Sequence, residues 1–163
     1  ELDRIHGKAN TFADVSSLKA AAVTGFFFLL STVFAFPFWL NRWFLILWAS
    51  WFLISSFYSL PPLRLKERGK LGLLLVVSAQ RLLPVLLVFS AFNFSYGWEI
   101  AGISFYVFLR GLSSDINHQL IDYQNDLKTR TKTFAVTTGH ETVQKIFRWV
   151  LELEKIFLFL ILA

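Results

Sequence analysis

Apolar side chains in this sequence run in long blocks, not at the spaced intervals of a helix with one wet face. Five blocks stand out: Leu18 to Leu40, Trp43 to Leu60, Leu71 to Phe94, Tyr96 to about Leu120, and about Val143 to Ala163. A helix needs about 20 mostly apolar residues to cross a bilayer, and each block approaches or exceeds that length. The pattern predicts an all-α fold, a polytopic transmembrane helix bundle. The fifth block is the least regular, because Arg148, Glu152, Glu154 and Lys155 interrupt it. No internal repeat, low-complexity tract or linker divides the chain, so residues 1–163 read as one domain.

The polar connections alternate in character. Those after the first and third blocks are short, Asn41-Arg42 and the turn SAFNFSYG. The other three are longer and basic. They carry Arg4 and Lys8, then Arg64, Lys66, Arg68 and Lys70, then Lys128, Arg130 and Lys132. Five alternating spans place all three on one side, and the positive-inside rule makes that side cytoplasmic. Trp39, Trp43, Tyr96 and Trp98 would then belong to the aromatic belt of the opposite face.

Composition agrees with this reading. The chain is 55% hydrophobic and 17% charged with 19 Phe, which excludes an ordinary soluble domain. The absence of Cys excludes disulfides and thiolate metal sites. The start, ELDRIHGKAN, lacks the basic-then-apolar layout of a signal peptide. There is no Met, even at position 1, and the end, KIFLFLILA, stops inside a hydrophobic run. An internal fragment of a longer protein is the expectation from these features.

Charge enters at the end of the fourth block, in DINHQLIDYQND. On a helix Asp115, His118 or Gln119, Asp122 and Asp126 share one face. Carboxylates four residues apart repel unless a cation lies between them. Mg²⁺ is suited to that place, because it takes one or two carboxylates and completes its shell with water and phosphate oxygens. Lys128 and Lys132 follow directly and offer positive charge to an anion beside such a metal. A solvated helix end, its acids paired with Lys128 and Arg130, is the plainer alternative. Arg81 and Arg110 lie deeper in their blocks, and ionisable residues within a membrane are functional candidates by default. Arg110 and Asp115 are also able to neutralise one another, and His118 to serve only in helix packing.

A second constellation, FYSLPPLRLKERGKLG, joins the second and third blocks. Pro61-Pro62 stops the preceding helix and stiffens the loop. Arg64, Lys66, Arg68 and Lys70 then present cations that suit a diphosphate, and Tyr58 places a phenol beside them. The plainer reading is a basic loop against anionic lipid.

YSLPPLRLKERG resembles the YSxPPxRxKxxG loop of the UbiA superfamily of intramembrane prenyltransferases. IDYQNDLKTRTKTFAV resembles that family's second aspartate-rich motif, with Asp122 and Asp126 at its two acids and Lys128 and Lys132 at its lysines. ELDRIHGKAN is similar to the tail of the first motif, which makes Asp3 its last aspartate. Two departures mark the chain. Asn10 is followed by Thr-Phe where Arg-Pro is frequent, and Arg130 stands where many members have glycine.

The resemblance implies a bundle of about nine helices, of which this chain supplies about five. It implies two aspartate-rich motifs that hold Mg²⁺ across a cytoplasmic cavity. On this basis Asp122, Asp126 and Asp3 are expected metal ligands, and Asp122 and Asp126 the catalytic pair. Tyr58, Arg64, Lys66, Lys128 and Lys132 are expected to hold the diphosphate, and Asp115, His118, Arg81 and Arg110 to line the cavity. The implied reaction transfers a polyprenyl group from its diphosphate to an aromatic or other lipophilic acceptor. Its setting is the bacterial cell membrane or an organelle membrane, among membrane lipids and without nucleic acid. A fragment lacking the first motif is expected to be inactive alone. Alternatives are a phosphoribosyl transferase of the same type acting on polyprenyl phosphate, and a transporter or scaffold that binds anionic lipid. CDP-alcohol phosphotransferases carry a DGxxAR signature absent here, and soluble isoprenyl diphosphate synthases lack the spans.

Overall fold

The computed structural model describes residues 16–58, 63–94 and 97–162. Among these the secondary structure is helical and no strand is present; an isolated bridge joins Gly69 to Thr133. The chain divides into two compact units, the first ending at Leu40 and the second beginning at Asn41.

In the first unit, helix α1 (Ser17–Ala35) begins at Ser16, whose hydroxyl accepts the Lys19 amide at 3.4 Å. It ends because Pro37 has no N–H to continue the ladder, and a short 3-10 turn, Phe36–Phe38, follows. The side chains of Phe26, Phe27, Leu29, Val33 and Phe34 all lie open.

In the second unit, α2 (Arg42–Phe57) starts at Asn41, whose side-chain oxygen accepts the amides of Trp43 and Phe44. A long apolar rod follows. It comprises α3 (Gly69–Val77), a π segment (Ser78–Leu82) and α4 (Leu83–Ala91). Pro84 explains the interruption. Its ring would clash with the carbonyl four residues back, and a widened turn relieves that clash. Two stretches, Ala21–Phe38 and Gly69–Ala91, are long and apolar enough to cross a membrane.

The chain returns through α5 (Trp98–Ile121), pivots at Asp122 into α6 (Tyr123–Lys128), and closes with α7 (Phe134–Thr138) and α8 (His140–Leu162). Although α5 and α8 are also long, Arg110, Asp115 and His118 interrupt the first and Arg148, Glu152, Glu154 and Lys155 the second. The core gathers Leu73, Val76 and Val77 of α3, Ile116 of α5, Phe134 and Ala135 of α7, and Val143 of α8. Each large side chain buried there contributes about 1.5–3 kcal/mol. This core lies at the end of the unit where α3 begins and α5 finishes, directly beneath the sequence motifs.

Candidate functional site

The basic loop is built on backbone contacts. Tyr58 ends α2, and its carbonyl accepts the Lys66 amide at 3.1 Å. Leu65–Glu67 form a 3-10 turn closed by Glu67 N–H to Arg64 O at 2.9 Å and Arg68 N–H to Leu65 O at 3.0 Å. The Leu65 carbonyl sits directly over Gly72, in space that a Cβ at that position would occupy. Arg64 takes a left-handed conformation, φ 40, and its guanidinium reaches Glu67 at 2.9 Å. Lys66 is half-buried, whereas Arg68 and Lys70 are exposed.

The acidic segment is held from the other side. Asp122 both ends α5 and begins α6, and its carbonyl accepts the Asp126 amide at 2.9 Å. The i,i+4 relation of the two acids therefore survives the pivot. Thr133 donates its hydroxyl to Asp126 Oδ2 at 3.1 Å, and Gln119 accepts the Ala135 amide at 3.1 Å. Helix α6 ends in a Schellman arrangement, with Thr131 N–H to Asp126 O at 2.9 Å and Arg130 N–H to Leu127 O at 3.2 Å. Arg130 supplies the left-handed residue of that motif, φ 55. Lys128 and Lys132 flank it, both exposed.

The two segments meet. Gly69, just beyond the basic loop, pairs with Thr133, just beyond the acidic one. Tyr58 packs against the common core, and its phenol lies within electrostatic range of both Asp115 and Asp126. Asp115 lies in turn within range of His118 and Arg81. The π segment aims Arg81 across Gly111, where a Cβ would stand 2.8 Å from Arg81 Cγ and 2.7 Å from Val77 Cγ1. At the opposite end of the unit, the guanidinium of Arg42 lies over the Trp43 ring at 5.7 Å. Basic segments 64–70 and 128–132 thus share one end.

Some expected placements differ. Arg110 does not neutralise Asp115. Five residues apart on α5, they leave the helix in different directions, and Arg110 pairs with Glu154 of α8 at 3.5 Å. Asp3 lies outside the described residues. Among the described residues no group of three His, Cys, Asp or Glu side chains stands together to hold a metal. Asp122 and Asp126 therefore offer a pair of carboxylates. That number is what Mg²⁺ uses when phosphate oxygens and water complete its shell, so the residues fit a metal brought with a phosphate ligand.

Sequence reading places Gln119 on the acidic face as an alternative to His118, takes in Thr133 and Gly69 only as parts of longer motifs, and assigns Gly72 no role; these four align the two segments. Thr133 had a legible signal, as an N-cap residue ahead of the apolar FAV; its hydroxyl accepts the Val136 amide at 3.4 Å. Comparison of the chain with family models, curated proteins and solved structures gave no match.

Proposed function

We propose that this chain carries the basic loop and second acidic motif of a membrane-embedded, Mg²⁺-dependent prenyltransferase of the UbiA type. The observation that supports the reading best is the meeting of the two segments through Gly69, Thr133 and Tyr58. Residues more than 60 positions apart along the chain, Gly69 and Thr133, meet at one end, where two carboxylates lie in electrostatic range of a phenol. The left-handed Arg130 adds support, because it stands where the family motif commonly has glycine. The open apolar flank of α1 suits lipid, since water would penalise so large an apolar surface.

In this reading the chain makes five crossings, with the motif end cytoplasmic. Asp122 and Asp126 would hold Mg²⁺, which when bound would supply positive charge against the negative charge building on the departing diphosphate. Lys66, Lys128 and Lys132 bind the diphosphate oxygens, and Arg64 joins them by exchanging Glu67 for phosphate. Tyr58 orients the diphosphate from the core side. The allylic C–O bond breaks, the diphosphate leaves with the electron pair, and the acceptor attacks the carbocation and then loses a proton. Asp115, His118 and Arg81 line the way to the acceptor, whereas Arg110, turned to Glu154 on another face of α5, stands apart from it.

The test uses full-length protein in proteoliposomes with Mg²⁺, radiolabelled polyprenyl diphosphate and a membrane extract as acceptor source. Asp122→Asn is expected to lower transfer at least about 10²-fold, the scale of losing one preorganised charge-stabilising group. Transfer at the native rate in Asp122→Asn would overturn the assignment. Transfer from a phosphoribosyl donor to polyprenyl phosphate, without use of the diphosphate, would replace prenyl transfer by the phosphoribosyl reaction.

A further inference from the structure

Helix α8 packs on α5 through Val143, Phe147, Val150, Glu154 and Phe157, whose alternating spacings of four and three residues form a heptad seam. Four of the five are apolar. Glu154 is the exception, and it is buried, 9% exposed. Its Oε2 accepts the hydroxyl of Ser113, itself 1% exposed, and its Oε1 lies 3.5 Å from Arg110 Nε. One turn along the seam, Phe157 meets Phe105 edge-to-face with ring centroids 4.6 Å apart.

Beyond Val150, outside the motif-end core, the apolar part of this seam does not specify its own alignment. Helix α8 continues as IFLFLIL and α5 runs through ISFYVFL, so Phe, Ile and Leu find similar partners one turn away in either direction. A buried carboxyl group with one serine donor and one guanidinium has no such freedom, because slipping leaves its oxygens without these partners. Single buried polar groups fix register in helix pairs by this penalty.

We propose that Glu154 is a positioning residue which, through Ser113 and Arg110, fixes the register of α5 against α8 and so sets the height of Asp115 and Asp122. A slip of one helical turn is about 5.4 Å, far beyond the tolerance of about 0.5 Å within which a working site must be held. The register itself does not depend on the transferase reading; its consequence for activity does.

Residues 1–163 contain no cysteine, so engineered pairs report register once any cysteine elsewhere in the full-length protein is replaced by serine. In the full-length protein in membranes, Phe105→Cys with Phe157→Cys reports the native register to a short bifunctional thiol reagent. Phe105→Cys paired with Leu153→Cys or with Ile161→Cys reports the two slipped registers. Adding Glu154→Leu is expected to lower the native cross-link several-fold and raise a slipped one. Where that variant fails to accumulate in membranes, Ser113→Ala serves as the deciding variant with the same expected shift. An unchanged native cross-link in the deciding variant overturns the proposal. In the prenyl-transfer assay the slipped variant is expected to lose kcat with little change in KM. If the wild-type protein transfers no prenyl group while the deciding variant still shifts the register, the transferase reading fails and the positioning role stands.

Discussion

The two ends of the 41–163 unit are built by different means. At the motif end, close approaches and polar contacts leave little freedom. Leu65 O rests on Gly72, Gly69 pairs with Thr133, Thr133 holds Asp126, and Gln119 holds the α7 backbone. The far end depends on Asn41, which caps α2 and donates its side-chain amide to Ser90 O at 2.8 Å and Asn93 Oδ1 at 3.1 Å. Where α4 and the start of α5 meet, an open cavity of about 470 Å³ is lined by Leu86, Gly97, Trp98, Ile100, Ala101 and Ser104. Trp98, at 91% exposure, projects from its rim. One end is specified residue by residue. The other rests on one polar residue, Asn41, and is otherwise apolar and open.

The difference is sharpest in two phenylalanines. Phe134 is buried in the motif-end core, while Phe92 at the far end is 70% exposed. Phe134→Ala is expected to cost about 3–5 kcal/mol, the range for emptying a packed aromatic site. Phe92→Ala is expected to stay within about 0.5 kcal/mol, as for exposed positions generally. Chemical unfolding in detergent measures both. Equal costs would erase the contrast between the ends.

Gly72 comes next. A methyl group there meets backbone, the Leu65 carbonyl, not a mobile side chain. Gly72→Ala is expected to cost about 1–3 kcal/mol, as overpacking does, and to lift Leu63–Arg68 off α3. Gly102→Ala makes the control, because a Cβ at that position meets nothing within 4 Å. Proteolysis of the basic loop should accelerate in the first variant and not in the second.

How much of this was legible in the sequence depends on the range of the interaction. The helices follow the apolar blocks closely. Arg42–Phe57 answers the block from Trp43, and Trp98–Ile121 the block from Tyr96, because apolar run length is a local property. The convergence of Tyr58, Asp115 and Asp126 was anticipated only as placement on one side. Nothing local says that Gly69 meets Thr133, since that pairing depends on α3 and α5 packing antiparallel. The π segment had a signal in Pro84, but its effect, aiming Arg81 over Gly111, required knowing which helix lies opposite. Glu154 appeared only as an interruption in an apolar block. Its place on a heptad seam was readable from spacing, and its partners were not.

Matched capping substitutions compare the two ends at lower energy. Thr133→Val removes the hydroxyl that accepts the Val136 amide and donates to Asp126. Asn41→Ala removes the cap of α2 and the bonds to Ser90 and Asn93. Each is expected to cost about 1–2 kcal/mol. Their consequences should diverge. Thr133→Val is expected to weaken Mg²⁺-dependent binding of diphosphate, because Asp126 loses its orienting donor, whereas Asn41→Ala should leave it unchanged. Titration of inorganic diphosphate with Mg²⁺ separates the two, and equal weakening would mean that the ends are coupled.

The smallest expected effect tests whether the motif end carries strain of its own. Arg130 occupies a left-handed conformation, φ 55, at the close of α6, a geometry that costs a residue with a Cβ about 1–2 kcal/mol. Glycine would escape that cost but would add freedom to the unfolded chain, which offsets about 0.4–1 kcal/mol of the gain. The remainder does not turn negative: Arg130→Gly is expected to raise stability by up to about 1.6 kcal/mol. Arg130→Ala keeps the Cβ and removes the charge, so it isolates the electrostatic part and should show no such gain. If both variants gain equally in thermal unfolding, crowding among Lys128, Arg130 and Lys132 is the cause, and raising the salt concentration should abolish the gain by screening. If only glycine gains, the Schellman turn between Asp126 and Thr133 is kept at a cost in backbone strain, as expected where the placement of a segment matters more than local stability.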